Sequence, residues 1–144
     1  MKPILLIEDS PDDAELTIAA LSLDLSDRVV LAPDGKQALD WLLRRGSHAH
    51  RGPEEPVVIL LDLKMPMVDG FGVLRAIRQN AGLQHIPVVG LTSSTEPGDM
   101  ERAYRDGINA YVVKPVDFTE FVEAMKCVGQ FWAVINRTAA GTGG

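Results

Sequence analysis

Five short apolar runs punctuate the chain, each followed by polar residues and then by a segment with helical spacing. The first, Ile4 to Ile7, ends in Glu8-Asp9. Ser10-Pro11-Asp12-Asp13 then reads as a helix start, with serine as cap, proline in the first helical position and acids in the first turn. That helix is expected to run to about Asp24, with Leu16, Ala20 and Leu23 at helical spacing. Val29 to Ala32 reads as a second strand. Asp34-Gly35 turns into a second helix that ends near Gly46, with Ala38, Leu39, Leu42 and Leu43 facing inward. A polar loop over 47–56 leads to the third run, Val57 to Leu61, which passes directly into Asp62. Asp69-Gly70 opens a third helix carrying Val73, Leu74 and Ile77 on its inner face. Ile86 to Thr92 is the fourth strand, and a helix entered at Pro97-Gly98 closes at Gly107. Ala110 to Lys114 is the fifth strand, and Asp117 with Glu120 makes a capping-box-like start for a last helix.

Strand and helix thus alternate five times, which implies a doubly wound α/β fold: a parallel sheet with helices on both faces. The third run is apolar without alternation, as a central strand buried on both faces should be. A length of 144 residues fits one domain. The expected boundaries are a single domain over residues 1–136 and a disordered tail over 137–144.

Charge and cysteine content narrow the function classes. The net charge of -6 argues against a nucleic-acid-binding surface. The single cysteine, Cys127, allows no internal disulfide and points to a reducing compartment. Neither a signal peptide nor a membrane span of ~20 apolar residues is legible. A cytoplasmic protein is expected.

In an open parallel sheet, ligands bind where the carboxyl ends of the strands meet. Those ends carry Glu8-Asp9, Asp62, Thr92-Ser93 and Lys114. Two unit charges ~4 Å apart cost ~4 kcal/mol at an effective dielectric near 20, so three carboxylates in one cleft require protonation or a cation. An all-oxygen donor set favours a hard cation, and Mg²⁺ suits carboxylates that share it with waters and a phosphate. A carboxylate can attack phosphorus and form an aspartyl phosphate. The lysine and the threonine hydroxyl can bind the remaining phosphoryl oxygens. The residues themselves therefore point to phosphoryl capture on Asp62.

The acidic pair after the first strand, the Leu60-Leu61-Asp62-Leu63-Lys64-Met65-Pro66 block with Asp69-Gly70, Leu91-Thr92-Ser93-Ser94 and Val113-Lys114-Pro115 resemble the receiver domain of two-component response regulators. Thr92 lies 30 residues after Asp62 and Lys114 lies 52 after it, as that family's pattern expects. The resemblance implies a flavodoxin-like fold with strand order 2-1-3-4-5 and a phosphoryl group accepted on Asp62 from a histidine kinase. It implies Mg²⁺ held by Glu8, Asp9, Asp62 and the backbone carbonyl of Lys64. Thr92 and Lys114 would contact the phosphoryl oxygens, and Tyr111 would be the aromatic residue whose rotamer changes on activation. A cis Lys114–Pro115 bond is typical of the family. The Glu8-to-Leu16 opening, the Asp117-to-Phe121 helix start and the Phe131-Trp132…Asn136 ending also resemble small stand-alone regulators paired with phytochrome-type histidine kinases. A histidine phosphotransfer protein would be a further partner in a relay.

Two positions depart from the commoner family pattern: Lys64, often smaller or an amide, and Ser94, often acidic. A changed phosphate lifetime is expected from them. Asp12 and Asp13 read as helix-entry acids, Ser93 as a helix cap, Trp41 as packing, His48 and His50 as solvated, and Cys127 as a helix residue without chemistry. No output module follows the last helix in this sequence, so output through protein contacts is expected. The wide apolar stripe of that helix, with Phe131, Trp132 and Ile135 at its end, suggests a homodimer built on the fifth strand and last helix. The protein is read as a phosphoacceptor rather than an enzyme. A flavodoxin-type carrier would need a phosphate-cradling loop after the first strand, where acids stand. An aspartyl-phosphate phosphatase would need an aspartate where Lys64 stands. A degenerate, phosphate-independent binding module would not need the five residues Glu8, Asp9, Asp62, Thr92 and Lys114 intact.

Overall fold

The computed structural model describes residues 2–21, 23–65 and 68–137. The strands are β1 (Ile4–Ile7), β2 (Val29–Ala32), β3 (Val58–Asp62), β4 (Val88–Thr92) and β5 (Ala110–Val113). They form one five-stranded sheet in the order β2-β1-β3-β4-β5, with every neighbouring pair parallel. The expected doubly wound topology is therefore the observed one. The main helices are α1 (Pro11–Ala20), α2 (Gly35–Leu42), α3 (Gly70–Gln79), α4 (Pro97–Arg105) and α5 (Phe118–Gly129). A two-residue antiparallel pairing of Lys64–Met65 with Val68–Asp69 closes the loop between β3 and α3.

Strand side chains point alternately to opposite faces, and the core divides accordingly. Leu5, Ile7, Ile59, Leu61 and Val88 pack with α2, α3 and Ala103 of α4 on one face. Ile4, Leu6, Val58, Leu60, Val89 and Leu91 pack with Ala14 of α1 and Met125 of α5 on the other. All five residues of β3 and of β4 are buried, which accounts for the lack of polar alternation before Asp62 and Thr92.

Three of the five main helices are entered at a capping side chain. Ser10 Oγ accepts from the Asp13 amide, Asp34 Oδ1 from Gln37 and Asp117 Oδ1 from Glu120. At the end of α4, Gly107 has φ +106°, and the amide that follows it, on Ile108, bonds back to the Ala103 carbonyl at 3.0 Å. No helix among the described residues is long and apolar enough to cross a membrane.

Two expectations about the elements are corrected. Helix α1 stops at Ala20, short of Asp24, because Leu21 turns extended at ψ 158° and its amide bonds back to Thr17 and Ile18. The inner face of α1 is Ala14, Thr17 and Ala20, and Leu16 is exposed. Leu21, which caps α1, and Leu25, in a separate one-turn helix over Leu23–Ser26, reach the core instead. The side chain of Leu23 lies outside the described residues, as does the tail from Thr138 onward. The last helix does not keep one stripe to its end. It widens into a π-helix over Gln130–Ile135, so Met125 and Val128 are buried while Ile135 is 56% exposed.

Gly70, the first residue of α3, is pinned against β3. A Cβ there would stand 2.7 Å from the Asp62 carbonyl oxygen and 2.8 Å from Leu63 Cα. Both obstacles are backbone, so they cannot rotate aside. Gly70→Ala is expected to cost about 1–3 kcal/mol, the usual range for overpacking. Urea denaturation checks this, and an unchanged midpoint would contradict it.

Candidate functional site

Register brings the chemistry to one edge. Ile7 pairs with Leu61, so Glu8 leaves β1 level with Asp62 at the end of β3. Asp62 pairs with Leu91, one residue before Thr92, and Thr92 pairs with Val113, one residue before Lys114. Side-chain alternation then sorts the groups. Asp62 continues the row of Val58 and Leu60, toward α1 and α5. Thr92 continues the row of Val88, and Tyr111 packs on that same face, toward α3 and α4.

The centre of the site is a pair of buried carboxylates with one shared cation. Glu8 is 3% exposed and Asp62 is 6% exposed. Lys114 Nζ lies 3.0 Å from Asp62 Oδ2 and 3.4 Å from Glu8 Oε1. The amide of Lys64 donates to Asp62 Oδ1 at 2.9 Å, and the amide of Ser10 to Glu8 Oε2 at 3.3 Å. Burial, a hydrogen bond with Asp62 and the Asp62 charge together push the Glu8 carboxyl up to about 7. Lys114 and the Ser10 amide oppose that rise but do not cancel it. Burial works against the Lys114 charge, yet Asp62 and then Glu8 outweigh it, and the ammonium is held above its ordinary range. The choice posed by the sequence, protonation or a cation, is thus visible in these two residues.

The Lys114–Pro115 peptide is trans, where the resemblance implied cis. The lysine is aimed instead by its own amide, which donates to the Thr92 carbonyl at 2.7 Å, and by its two carboxylate partners.

The metal set is only partly assembled. The oxygen chemistry of Glu8 and Asp62 fits a hard dication, since two adjacent buried carboxyl groups offer it oxygen ligands and a negative seat once Glu8 gives up its proton. The expected grouping of Glu8, Asp9 and Asp62 is not formed. Among the described residues no three His, Cys, Asp or Glu side chains converge as metal ligands. Asp9 follows Glu8 into the loop and is half-buried there.

On the other flank, Thr92 is fully buried and its Oγ1 accepts the Ser94 amide at 3.0 Å. The Tyr111 hydroxyl donates to the Ser94 carbonyl at 3.1 Å, so Tyr111 is tied to the loop after Thr92. The side chain of Lys64 leaves the cleft for Asp99 on α4, at 2.9 Å. The sequence does not mark Asp99, because an acid in the first turn of a helix reads as an ordinary dipole partner. Of the residues expected at an interface, Phe131 and Ile135 are exposed, while Trp132 is half-buried against the α1/α5 core and meets the Phe131 ring edge-on, centroids 5.0 Å apart.

Comparison with known proteins bears on what this edge does. The family model described as the response regulator receiver domain matches residues 4–126. The response regulator Rcp1 of Synechocystis sp. is 34% identical over 91% of this chain and 88% of its own length. The manganese-bound form of Rcp1 superposes with a TM-score of 0.84 over 97% of this chain and 100% of that one. The phosphorylated cyanobacterial phytochrome response regulator RcpA gives a TM-score of 0.86 at 31% identity, over 96% of this chain and 99% of that one. The bacteriophytochrome response regulator RtBRR is 49% identical, with a TM-score of 0.72, over 99% of this chain and 86% of its own.

Proposed function

The chain belongs to the response regulator receiver domain family, and from that premise we propose that it is a phosphoacceptor switch which takes a phosphoryl group on Asp62 from a histidine kinase. The observation that carries this is the buried Asp62 carboxylate with Lys114 Nζ at 3.0 Å, at the carboxyl edge of the sheet. An Asp62 oxygen attacks phosphorus, the P–N bond to the kinase imidazole breaks, and the imidazole keeps the bonding electrons and takes a proton. Lys114 neutralises a phosphoryl oxygen, and Thr92 offers its hydroxyl to another. Hydrolysis later returns the Asp62 carboxylate and inorganic phosphate. This is self-catalysed transfer without turnover of a substrate pool.

Glu8, Asp62, Asp9 and the Lys64 carbonyl would hold Mg²⁺. The cation would offset charge on the transferring group and on the two buried carboxylates. The manganese-bound form of Rcp1 supports a divalent cation here, and the phosphorylated form of RcpA supports the acceptor role. The phytochrome-linked names of RcpA and RtBRR favour a phytochrome-type kinase as the donor, in the cytoplasm, with a phosphotransfer protein as the next carrier if the chain serves a relay. Thr92 and Tyr111 would carry the switch, because both are bonded to Ser94.

Acetyl phosphate tests the reading without a kinase: attack on its phosphorus breaks the P–O bond and acetate leaves. One phosphate per chain is expected by mass in the presence of Mg²⁺. Stripping the metal with EDTA should lower the initial rate at least about tenfold. A folded protein that takes no phosphate with Mg²⁺ present would sink the proposal.

Output through a homodimer is the second part of the reading. Phe131, Val134 and Ile135 are exposed at the end of the chain's last helix, and Val113, Val116 and Phe118 are exposed beside its start. Such apolar surface is what a dimer face built on β5 and α5 would cover. A Phe131→Glu, Trp132→Glu double variant is expected to run as a monomer in light scattering while the parent runs as a dimer. Equal masses for the two would remove the dimer.

A further inference from the structure

The loops that leave β3 and β4 are joined by a carboxylate that the phosphoryl chemistry does not use. Asp99, the third residue of α4, accepts two groups on one oxygen. Lys64 Nζ lies 2.9 Å from Asp99 Oδ2, and Ser94 Oγ donates to that same atom at 2.6 Å. Ser94 Oγ in turn accepts the Glu96 amide at 3.2 Å, while the Ser94 amide and carbonyl are bonded to Thr92 and Tyr111. Asp99 is therefore the node between the residue two after the acceptor and the loop that holds Thr92. Its side chain is 17% exposed and that of Lys64 is 45% exposed, so the pair is partly screened rather than buried. Hydrogen bonds from Ser94 and then from Lys64 hold the Asp99 carboxyl below its usual range.

The backbone of Lys64 is bound to the acceptor, through its amide to Asp62 Oδ1. Its ammonium is bound elsewhere. A long side chain rooted beside Asp62 has two anions to serve once the acceptor carries a phosphoryl group. We propose that Asp99 is a positioning residue that sets the lifetime of the phosphoryl group, holding the Lys64 ammonium on α4 and away from the phosphoryl group on Asp62. The inference rests on the phosphoacceptor reading above.

The consequence has a sign. Hydrolysis needs a water in line with the bond from Asp62 to phosphorus. An ammonium delivered beside the phosphoryl group stands in the path of that water. Asp99 diverts that cation, so it shortens the life of the phosphoprotein. The cation partitions between two sites, and neutralising one site sends it to the other.

Asp99→Asn is the fitting variant, because the amide oxygen still accepts the Ser94 hydroxyl while the charge that holds Lys64 is gone. The phosphoprotein made with acetyl phosphate and Mg²⁺ is isolated, and its decay is followed by mass. Asp99→Asn is expected to lengthen the half-life about three- to fivefold, in keeping with a partly exposed charge pair. High salt should shrink that difference, which a packing change would not do. In a Lys64→Met background the same substitution should have no further effect, and thermal melts verify that each variant is folded. An unchanged or shorter half-life, or the same lengthening without Lys64, would overturn the role of Asp99 alone. A wild-type protein that takes no phosphate would overturn the acceptor reading together with it.

Discussion

Asp62→Asn is expected to incorporate no phosphate from acetyl phosphate at any Mg²⁺ concentration, and yet to stay folded. The amide keeps the shape of the carboxylate but has no anionic oxygen to attack phosphorus. It still accepts the Lys64 amide that now holds Oδ1 at 2.9 Å. The substitution should also change how stability depends on pH in the metal-free protein. Glu8 titrates near 7 in the fold, raised from 4.5 by burial, by its hydrogen bond to Asp62 and by the Asp62 charge. The folded state thus binds the Glu8 proton more tightly than the unfolded chain does. This group's contribution to stability is complete below about pH 4.5 and is lost as pH rises through about 7. Removing the Asp62 charge leaves burial as the main remaining cause and flattens that loss. Urea midpoints of both proteins, taken at about pH 5 and about pH 8, measure the difference, and titrations common to both proteins cancel. A steeper decline in the variant would contradict the account of Glu8.

Lys114→Met is expected to slow phosphorylation about a hundredfold or more, the usual scale for removing one preorganised charge from a reacting oxyanion. Its ammonium bonds both buried carboxylates, at 3.0 and 3.4 Å, and its side chain is only 18% exposed. Methionine keeps much of the stem and removes the charge. The carboxylates then face each other without that neutralising group, and Glu8 should hold its proton to a still higher pH. A stability loss of about 1–3 kcal/mol follows for groups left with an unmet partner. Rapid quench with acetyl phosphate gives the rate, and a thermal melt separates chemistry from unfolding. A rate within a few-fold of wild type would show that Lys114 is not the oxyanion's main partner.

Helical spacing misleads at two helix ends for one physical reason. The spacing of Leu16, Ala20 and Leu23 carries α1 on to Asp24. Spacing cannot tell that Leu21 and Leu25 gain more by turning into the α1/α5 core. A constant 3.6-residue period carries the apolar stripe of the last helix to Ile135. The π-helical stretch over Gln130–Ile135 breaks that period, and it keeps Trp132 against the core while Phe131 and Ile135 face out. Asp99 was unreadable for a different reason. Its partners, Lys64 and Ser94, stand on separate loops and meet only when β3 and β4 lie side by side.

The sequence by itself determined the order of elements, the helix entries at Ser10, Asp34 and Asp117, and the identity of the groups at the strand ends. These are local properties: a cap bonds an amide three residues away, and an apolar run with no alternation needs cover on both faces. It also determined that Asp62, Thr92 and Lys114 would share an edge, because parallel strands place all their carboxyl ends together. Tertiary structure alone decided which charges touch. It paired Glu8 with Asp62 under one lysine, left the three-carboxylate group unformed, held the Lys114–Pro115 bond trans, and sent the Lys64 side chain to α4. Such choices turn on distances of a few ångströms between residues far apart in the chain. Electrostatic and hydrogen-bond energies change steeply over that range, and no sequence period records it.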